Sequence, residues 1–295
     1  ALQKHLTCHL STTGATFVRF GYGFPVAVTY VAFLHYGMDA PWPQMHARFW
    51  GFTMAGGLSQ IIATFLLVSL FSLRNFTVGT AYSKTEPLQA AIFGAIILGD
   101  VTSTGATLAI LIGLVGVVVI SVAHAPRTAG GIVASLLGRS ALIGLASGTC
   151  FGLAAVMYRA ASLSIAGDSP GINAQDIEAP GFLMQAGFTL LCVTGFQSVI
   201  MAVYLRLREP GQLTAVMGQW RMAALVGISG VVASMGWFTA MTIQSVAYVR
   251  ALGQIELIFT FVASYFFFHE KISRTEVVGV ILIAACIVIL LMDRA

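Results

Sequence analysis

EPLQAAIFGAIILGDVTS (residues 86–103) and ELIFTFVASYFFFHEKIS (256–273) lie 170 residues apart and follow one plan. Each opens on a glutamate, runs through mostly apolar residues, and closes on an acidic residue and a serine. Glu86 meets Glu256, Asp100 meets Glu270 and Ser103 meets Ser273. The same shift, carried outward without a gap, pairs Trp50 with Trp220, Gly57 with Gly227, Ser59 with Ser229, Ala63 with Ala233 and Ala81 with Ala251. Chance does not readily place two carboxylates inside apolar runs in register, so the chain is an internal repeat.

The solvent for those runs is lipid. Of the 295 residues 58% are hydrophobic and 9% are charged, against roughly 25% charged in an average soluble domain. A soluble core cannot take in that much apolar surface and keep a polar skin. A helix needs about 20 mostly apolar residues to cross the hydrocarbon, and nine stretches qualify: 14–36, 49–72, 76–98, 104–124, 140–163, 182–205, 221–244, 246–268 and 275–292. Lipid offers no partner for backbone N–H and C=O groups, so these stretches are helical. Turn signals such as APWPQ (40–44), HAPRTAGG (124–131) and REPGQ (208–212) separate them, and the long polar connection is 164–180.

Several function classes fall away. The net charge of +4 is spread along the chain and forms no basic cluster for nucleic acid. Cys8, Cys150, Cys192 and Cys286 are far apart, with no CxxC or His/Cys ligand spacing, so neither a disulfide framework nor a metal site is expected. No Walker motif suggests ATP hydrolysis, no HExxH is present, and no cofactor is implied. GISG at 227–230 matches the GxSG of intramembrane serine proteases. Its repeat counterpart, Gly57-Leu58-Ser59-Gln60, lacks the final glycine, so the motif reads as small-residue packing and the chain as no enzyme.

The repeat sets the architecture. Residues 140–163 open the second half, and their partner would be a helix ending near Lys4. About 15 residues of that first helix are therefore expected to precede the sequence. The expected fold is an all-α membrane bundle of ten transmembrane helices in two five-helix repeats: residues 1–124, a linker at 125–139, and residues 140–292. Five is odd, so two such repeats joined head to tail have opposite orientations in the membrane. This inverted plan is common in secondary transporters, with the site near the midplane between the halves.

These paired segments resemble the EamA-like branch of the drug/metabolite transporter superfamily, and the resemblance covers nearly the whole chain. Pro87 and Asp100 match that family's proline and loop carboxylate in the first half. Glu270 matches the carboxylate in the second, where Leu257 stands in place of the usual proline. Lys4 and Arg159 correspond to the basic residue late in the first helix of each half. The resemblance implies ten helices and metabolite transport but no particular substrate.

Charged side chains at mid-helix cost about 2.5–3.5 kcal/mol each and tend to face a bundle interior or a water path. Glu86 and Glu256 fall near the centres of 76–98 and 246–268, with Lys84 and Arg250 close by. At about 100° per residue Tyr82 shares the Glu86 face, while Arg250 and Gln254 occupy the positions of Thr80 and Lys84. One reading is a cavity lined by Glu86 and Glu256, with Lys84 or Arg250 neutralising a carboxylate or binding a substrate; the other is interhelical ion pairs that pin the bundle. Gln60 and Thr64 share a helix face and either line a cavity or bond between helices. Trp237 walls a pocket or packs. Arg159 reaches a cavity or snorkels to headgroups, and Arg19 is expected to snorkel. Asp100 and Glu270 are expected to sit at the N-termini of the helices that follow them. Gly56, Gly57, Gly113 and Gly116 suggest close helix packing.

Loop cations give an orientation. Lys4, Arg74, Arg127, Arg139, Arg206, Arg208, Arg221, Lys271 and Arg274 share one side, and Arg48 and Arg294 the other. The first set is expected in the cytoplasm, which puts the 164–180 loop and the C-terminus outside, against the habit of the family. The function expected is a secondary transporter of a small metabolite, an amino acid or a similar polar or amphipathic solute, working by alternating access with protons as coupling ion. The alternative is an uncoupled facilitator or exchanger of the same fold. The expected setting is a bacterial inner membrane, with lipids and a small-molecule substrate as partners, no nucleic acid, and a monomer or homodimer as the assembly.

Overall fold

The computed structural model describes residues 10–70, 83–123, 138–166, 180–266 and 274–293, and every regular element among them is helical. In chain order these are α1 (Thr12–Gly21), α2 (Phe24–Met38), α3 (Ala47–Leu70), α4 (Glu86–Leu98), α5 (Thr104–Ala123), α6 (Arg139–Ser164), α7 (Phe182–Arg208), α8 (Gln212–Gly218), α9 (Trp220–Ile243), α10 (Val246–Gly253), α11 (Ile255–Phe266) and α12 (Arg274–Met292). Among the described residues five spans are long and apolar enough to cross a membrane: Thr13–Met38, Ala47–Leu70, Arg139–Ser164, Phe182–Arg208 and Trp220–Ile243. Shorter apolar helices cover Glu86–Leu98, Thr104–Val119 and Val277–Met292. The chain is a membrane bundle. The expected incomplete first helix with Lys4 (residues 1–9), and most of the 125–139 linker, of the 164–180 loop and of the Glu270 junction, lie outside the described residues.

Two expected single helices are interrupted. The stretch 14–36 is α1 and α2, joined at Tyr22-Gly23. Pro25 at the start of α2 has no N–H to continue the ladder. Gly23 is wedged there: a Cβ would stand 2.4 Å from Val231 Cγ2, and one at the facing Gly227 2.9 Å from Gly23 N, so the backbones meet where only glycine fits. The stretch 246–268 is likewise α10 and α11, joined at Gln254. That junction stays right-handed (Gln254 φ −64°, ψ −9°) but tightens. Gln254 N bonds to Ala251 O at 3.1 Å and Leu257 N to Gln254 O at 2.9 Å, three residues back rather than four.

The described bundle divides into two compact units, each drawing on both sequence halves. The first holds residues 1–61 and 157–243, the second 62–156 and 244–295, with the boundaries inside α3 and α6. In the first unit, Val31, Leu34, Phe49, Ala161, Met184 and Phe188 form one core between α2, α3, α6 and α7. A second core joins Leu10, Ala15 and Val18 to Val216, Ala223 and Val226. In the second unit, Ala106, Ala109 and Ile110 of α5 pack on Ala247, Tyr248 and Ala251 of α10 and on Cys286 and Leu290 of α12.

Small residues set these distances. A Cβ at Gly116 would lie 2.8 Å from the Gly279 carbonyl oxygen, and one at Gly113 2.8 Å from Cys286 Sγ. Gly148 and Gly152, a GxxxG pair on α6, seat the start of α4: a Cβ at 148 would lie 2.9 Å from Ser83 O, and one at 152 3.3 Å from Glu86 O. The outer faces carry large exposed apolar side chains such as Phe33, Phe65, Ile96, Leu207 and Ile281. Lipid satisfies such a surface as water cannot. Tyr36 and Trp42 at one end of α2 are the amphipathic aromatics typical of the membrane interface.

Candidate functional site

In the second unit the helix junctions bring the expected charges together. Pro87, in the first turn of α4, cannot donate a backbone bond. The helix therefore begins at Glu86, behind Lys84 and Thr85 in a turn. Glu86 and Glu256 are thus in the first turns of α4 and α11, not at the centres of longer helices as expected. Both carboxylates stand where the helix dipole favours an anion.

The pairing is crossed. Arg250 Nε lies 3.0 Å from Glu86 Oε1, and Lys84 Nζ pairs with Glu256 Oε1. Each bridge joins α10 or α11 in the second half of the chain to the α4 region in the first. Gln254 Nε2 donates to the Lys84 carbonyl at 3.5 Å. Residues 84 and 254 are equivalent under the 170-residue shift. The pairs differ in burial: side-chain exposure is 20% for Arg250 and 15% for Glu86, but 39% for Lys84 and 56% for Glu256. Tyr82, the remaining expected member, lies outside the described residues.

The first unit holds a polar network around Gln60. Tyr158 Oη is 2.8 Å from Gln60 Oε1 and 3.1 Å from Gly56 O, so its one proton serves either acceptor. Gln197 Nε2 donates to Gln60 Oε1 at 2.8 Å and Gly57 O at 3.2 Å, and lies 3.3 Å from Tyr158 Oη. The Tyr158 ring stacks on Phe238 with centroids 4.7 Å apart. Gln197 was not among the residues read from sequence; its signal is a mid-helix amide in the apolar run 182–205.

Beside this network is a cavity of about 20 Å³, little more than one water requires. Its polar wall is Arg19, Gln60, Thr194, Gln197 and Ser234; Phe20, Leu190, Val231 and Phe238 are among its apolar wall. Arg19, expected to snorkel, instead ends α1 and faces this space, because α1 stops at Tyr22 and its last turn is inside the unit. Trp237 does not line the cavity; its neighbour Phe238 does. Arg159 donates from Nη1 to the Met241 and Thr242 carbonyls at 2.7 and 3.3 Å, closing the C-terminal end of α9, whose last carbonyls lack helical partners.

One junction residue departs from expectation. Asp100 does not head α5. Its N–H bonds to Gly94 O at 3.1 Å, and Gly99 in the left-handed region (φ 68°) closes α4. Ser103 caps α5 instead, accepting from Ala106 N at 2.9 Å. The GISG serine is a helix-surface residue. Ser229 Oγ donates to the Leu225 carbonyl at 2.7 Å, and Gly227 is packed against Tyr22 and Gly23. Among the described residues no group of three or more His, Cys, Asp or Glu could hold a metal.

The chain matches the EamA-like transporter family over residues 1–122 and 182–292. No curated protein matches it. A solved structure described as "Crystal structure of protein" superimposes on 99% of this chain and 95% of its own length, with a TM-score of 0.64 at 19% identity. That likeness speaks for the fold.

Proposed function

Because the chain belongs to the EamA-like transporter family, and so is a multi-pass membrane transporter of the drug/metabolite type, we propose that it moves a small polar or amphipathic metabolite by alternating access, coupled to protons through Glu86 and Glu256. The observation that carries this reading is the crossed arrangement of Lys84–Glu256 and Arg250–Glu86 at the helix junctions. At about 2.5–3.5 kcal/mol for each ionisable group in a span, four such groups are a heavy cost for packing alone. Helix interruptions beside charged groups are where transporters handle ions. A carboxylate held by a cation across a junction can take up a proton when the cation is drawn away, so protonation and movement of α10 are linked.

The repeats, 1–124 and 140–292 around the 125–139 linker, are read as inverted halves that rock against each other. The setting is a bacterial inner membrane. The protein works as a monomer or homodimer among lipids, takes a small-molecule substrate and protons, and needs no cofactor or nucleic acid.

The test is proton movement. Proteoliposomes holding a pH-sensitive dye are given an outward gradient of each solute in a metabolite panel. A solute that drives proton flux in wild type, and flux without protons in Glu86→Gln or Glu256→Gln, supports coupling. Solute flux without proton flux in wild type selects the uncoupled exchanger.

A further inference from the structure

We propose that Asp293, Tyr248 and Ser103 form a clasp that shuts one membrane end of the second unit over α10, a gate that the first sequence half does not repeat. The inference rests on the transporter reading and names the contact that its movement must release.

Three helix ends meet in the clasp. Ser103 stands just ahead of α5, Tyr248 is in the first turn of α10, and Asp293 follows the last residue of α12. Tyr248 Oη donates to Asp293 Oδ2 at 2.8 Å, and Ser103 Oγ donates to the same oxygen. Ser103 Oγ also accepts from Ala106 N. The carboxylate is thus tied into the start of α5, where the helix dipole favours an anion. Gly105 leaves it room: a Cβ there would overlap the Asp293 carboxylate.

The segment under the clasp is short. α10 runs only from Val246 to Gly253, with the tightened Gln254 junction at its end. A helix of that length is marginal by itself, so its neighbours hold it. Tyr248 and Arg250 are two residues apart and point about 200° away from each other. One bonds to Asp293 and the other pairs with Glu86. α10 is therefore tied to α5 and α12 on one face and to α4 on another. Moving it away from Glu86 at this end breaks the clasp first. Ser103 and Asp293 are exposed, so water replaces the bonds that Asp293 loses and opening costs little. The same three helices bury Cys286, which is 1% exposed in the core that Tyr248 and Ala251 share with Ala106 and Ala109.

The gate is one-sided by sequence. Under the 170-residue shift Ser103 has a counterpart in Ser273, but Tyr248 and Asp293 fall on Val78 and Ala123. Neither of those side chains can make a hydrogen bond. Inversion gives equivalent positions to opposite membrane faces, so one face is held by a carboxylate and the other is not held in this way.

Cys286 is the reporter. Its labelling by a charged, water-soluble methanethiosulfonate is read by peptide mass spectrometry on the full chain in phosphatidylcholine nanodiscs, with Cys192 of the first unit as the reference. Asp293→Ala, Tyr248→Phe and Gly105→Ala should each quicken Cys286 about three- to tenfold, as the loss of one net hydrogen bond implies. Cys192 should keep its rate. Tyr248→Phe added to Asp293→Ala should add nothing, because both cut one bond. Cys286 labelling unchanged in Asp293→Ala and Tyr248→Phe, or Cys192 quickened as much, overturns the clasp. For a solute that shows counterflow, Asp293→Ala should shift half-saturation unequally from the two sides of the membrane, since it changes the balance of open states; an equal shift also overturns it. The labelling and the proton-flux assay fail separately. Quickened Cys286 with no proton flux for any solute in wild type keeps the clasp and removes the coupling. Proton flux in wild type with unchanged Cys286 keeps the coupling and removes the clasp.

Discussion

The two ion pairs should differ in strength although their chemistry is alike. Cutting one partner from a fully buried pair costs about 3–5 kcal/mol, because the remaining charge is stranded. The Arg250–Glu86 pair keeps 15–20% of its side-chain surface exposed, which trims that figure to about 2–3 kcal/mol. The Lys84–Glu256 pair is 39% and 56% exposed and belongs with accessible pairs at about 0.2–1 kcal/mol. The perturbations are Glu86→Gln with Arg250→Met, and Lys84→Met with Glu256→Gln, each singly and together. Each cycle isolates its own coupling, since the double variant removes both charges at once. The assay is reversible unfolding in mixed detergent micelles, read by circular dichroism. A coupling energy near 2 kcal/mol for the first pair and below about 1 kcal/mol for the second is expected. Equal couplings, or one near zero for Arg250 with Glu86, would refute the claim that burial decides their strength.

Other outcomes follow from particular contacts. Gly148→Ala should destabilise by about 1–3 kcal/mol, since its Cβ would meet the Ser83 carbonyl at 2.9 Å. Gly51→Ala, where a Cβ meets nothing within 4 Å, should be neutral or slightly stabilising; thermal melts of the pair check both. Tyr158→Phe should cost about 0.6–1.7 kcal/mol in the same unfolding assay, the range of interhelical hydrogen bonds in membranes, because it deletes the hydroxyl between Gln60 and Gln197. Asp293, past the end of α12, accepts from the Ser103 and Tyr248 hydroxyls, and these hold its carboxyl below its ordinary value of 3.8. A depressed carboxyl contributes stability above its unfolded value and loses it as pH falls through the folded one. Wild type should therefore lose thermal stability more steeply than Asp293→Asn as pH drops below about 4.

The helical bundle was legible because lipid leaves the backbone so few options. The carboxylates were legible because the repeat put Glu86 and Glu256 in register. What periodicity could not give was the interruption at Gln254. No proline marks it, Leu257 standing where the first half has Pro87, and the chain there stays right-handed and merely tightens. With the break hidden, Glu256 looked central, and its crossed pairing with Lys84 could not be told from pairing with Arg250. Arg19 was misread for a related reason. A cation late in a short helix looks like a snorkelling residue until the bend at Tyr22-Gly23 turns its last turn inward. The role of Gln197 depends on α3, α6 and α7 meeting at one point, which no single-helix pattern records. Gly148 and Gly152 are visible as a spacing, but the α4 start they seat lies more than fifty residues away.

The central claim is that this bundle carries a solute and that the paired charges take part. Counterflow tests it most directly: proteoliposomes loaded with an unlabelled metabolite take up a trace of the labelled one, wild type beside Glu86→Gln. A transient overshoot in wild type that collapses in the folded variant is the result expected. Either no overshoot with any solute, or the same overshoot in both proteins, contradicts the account.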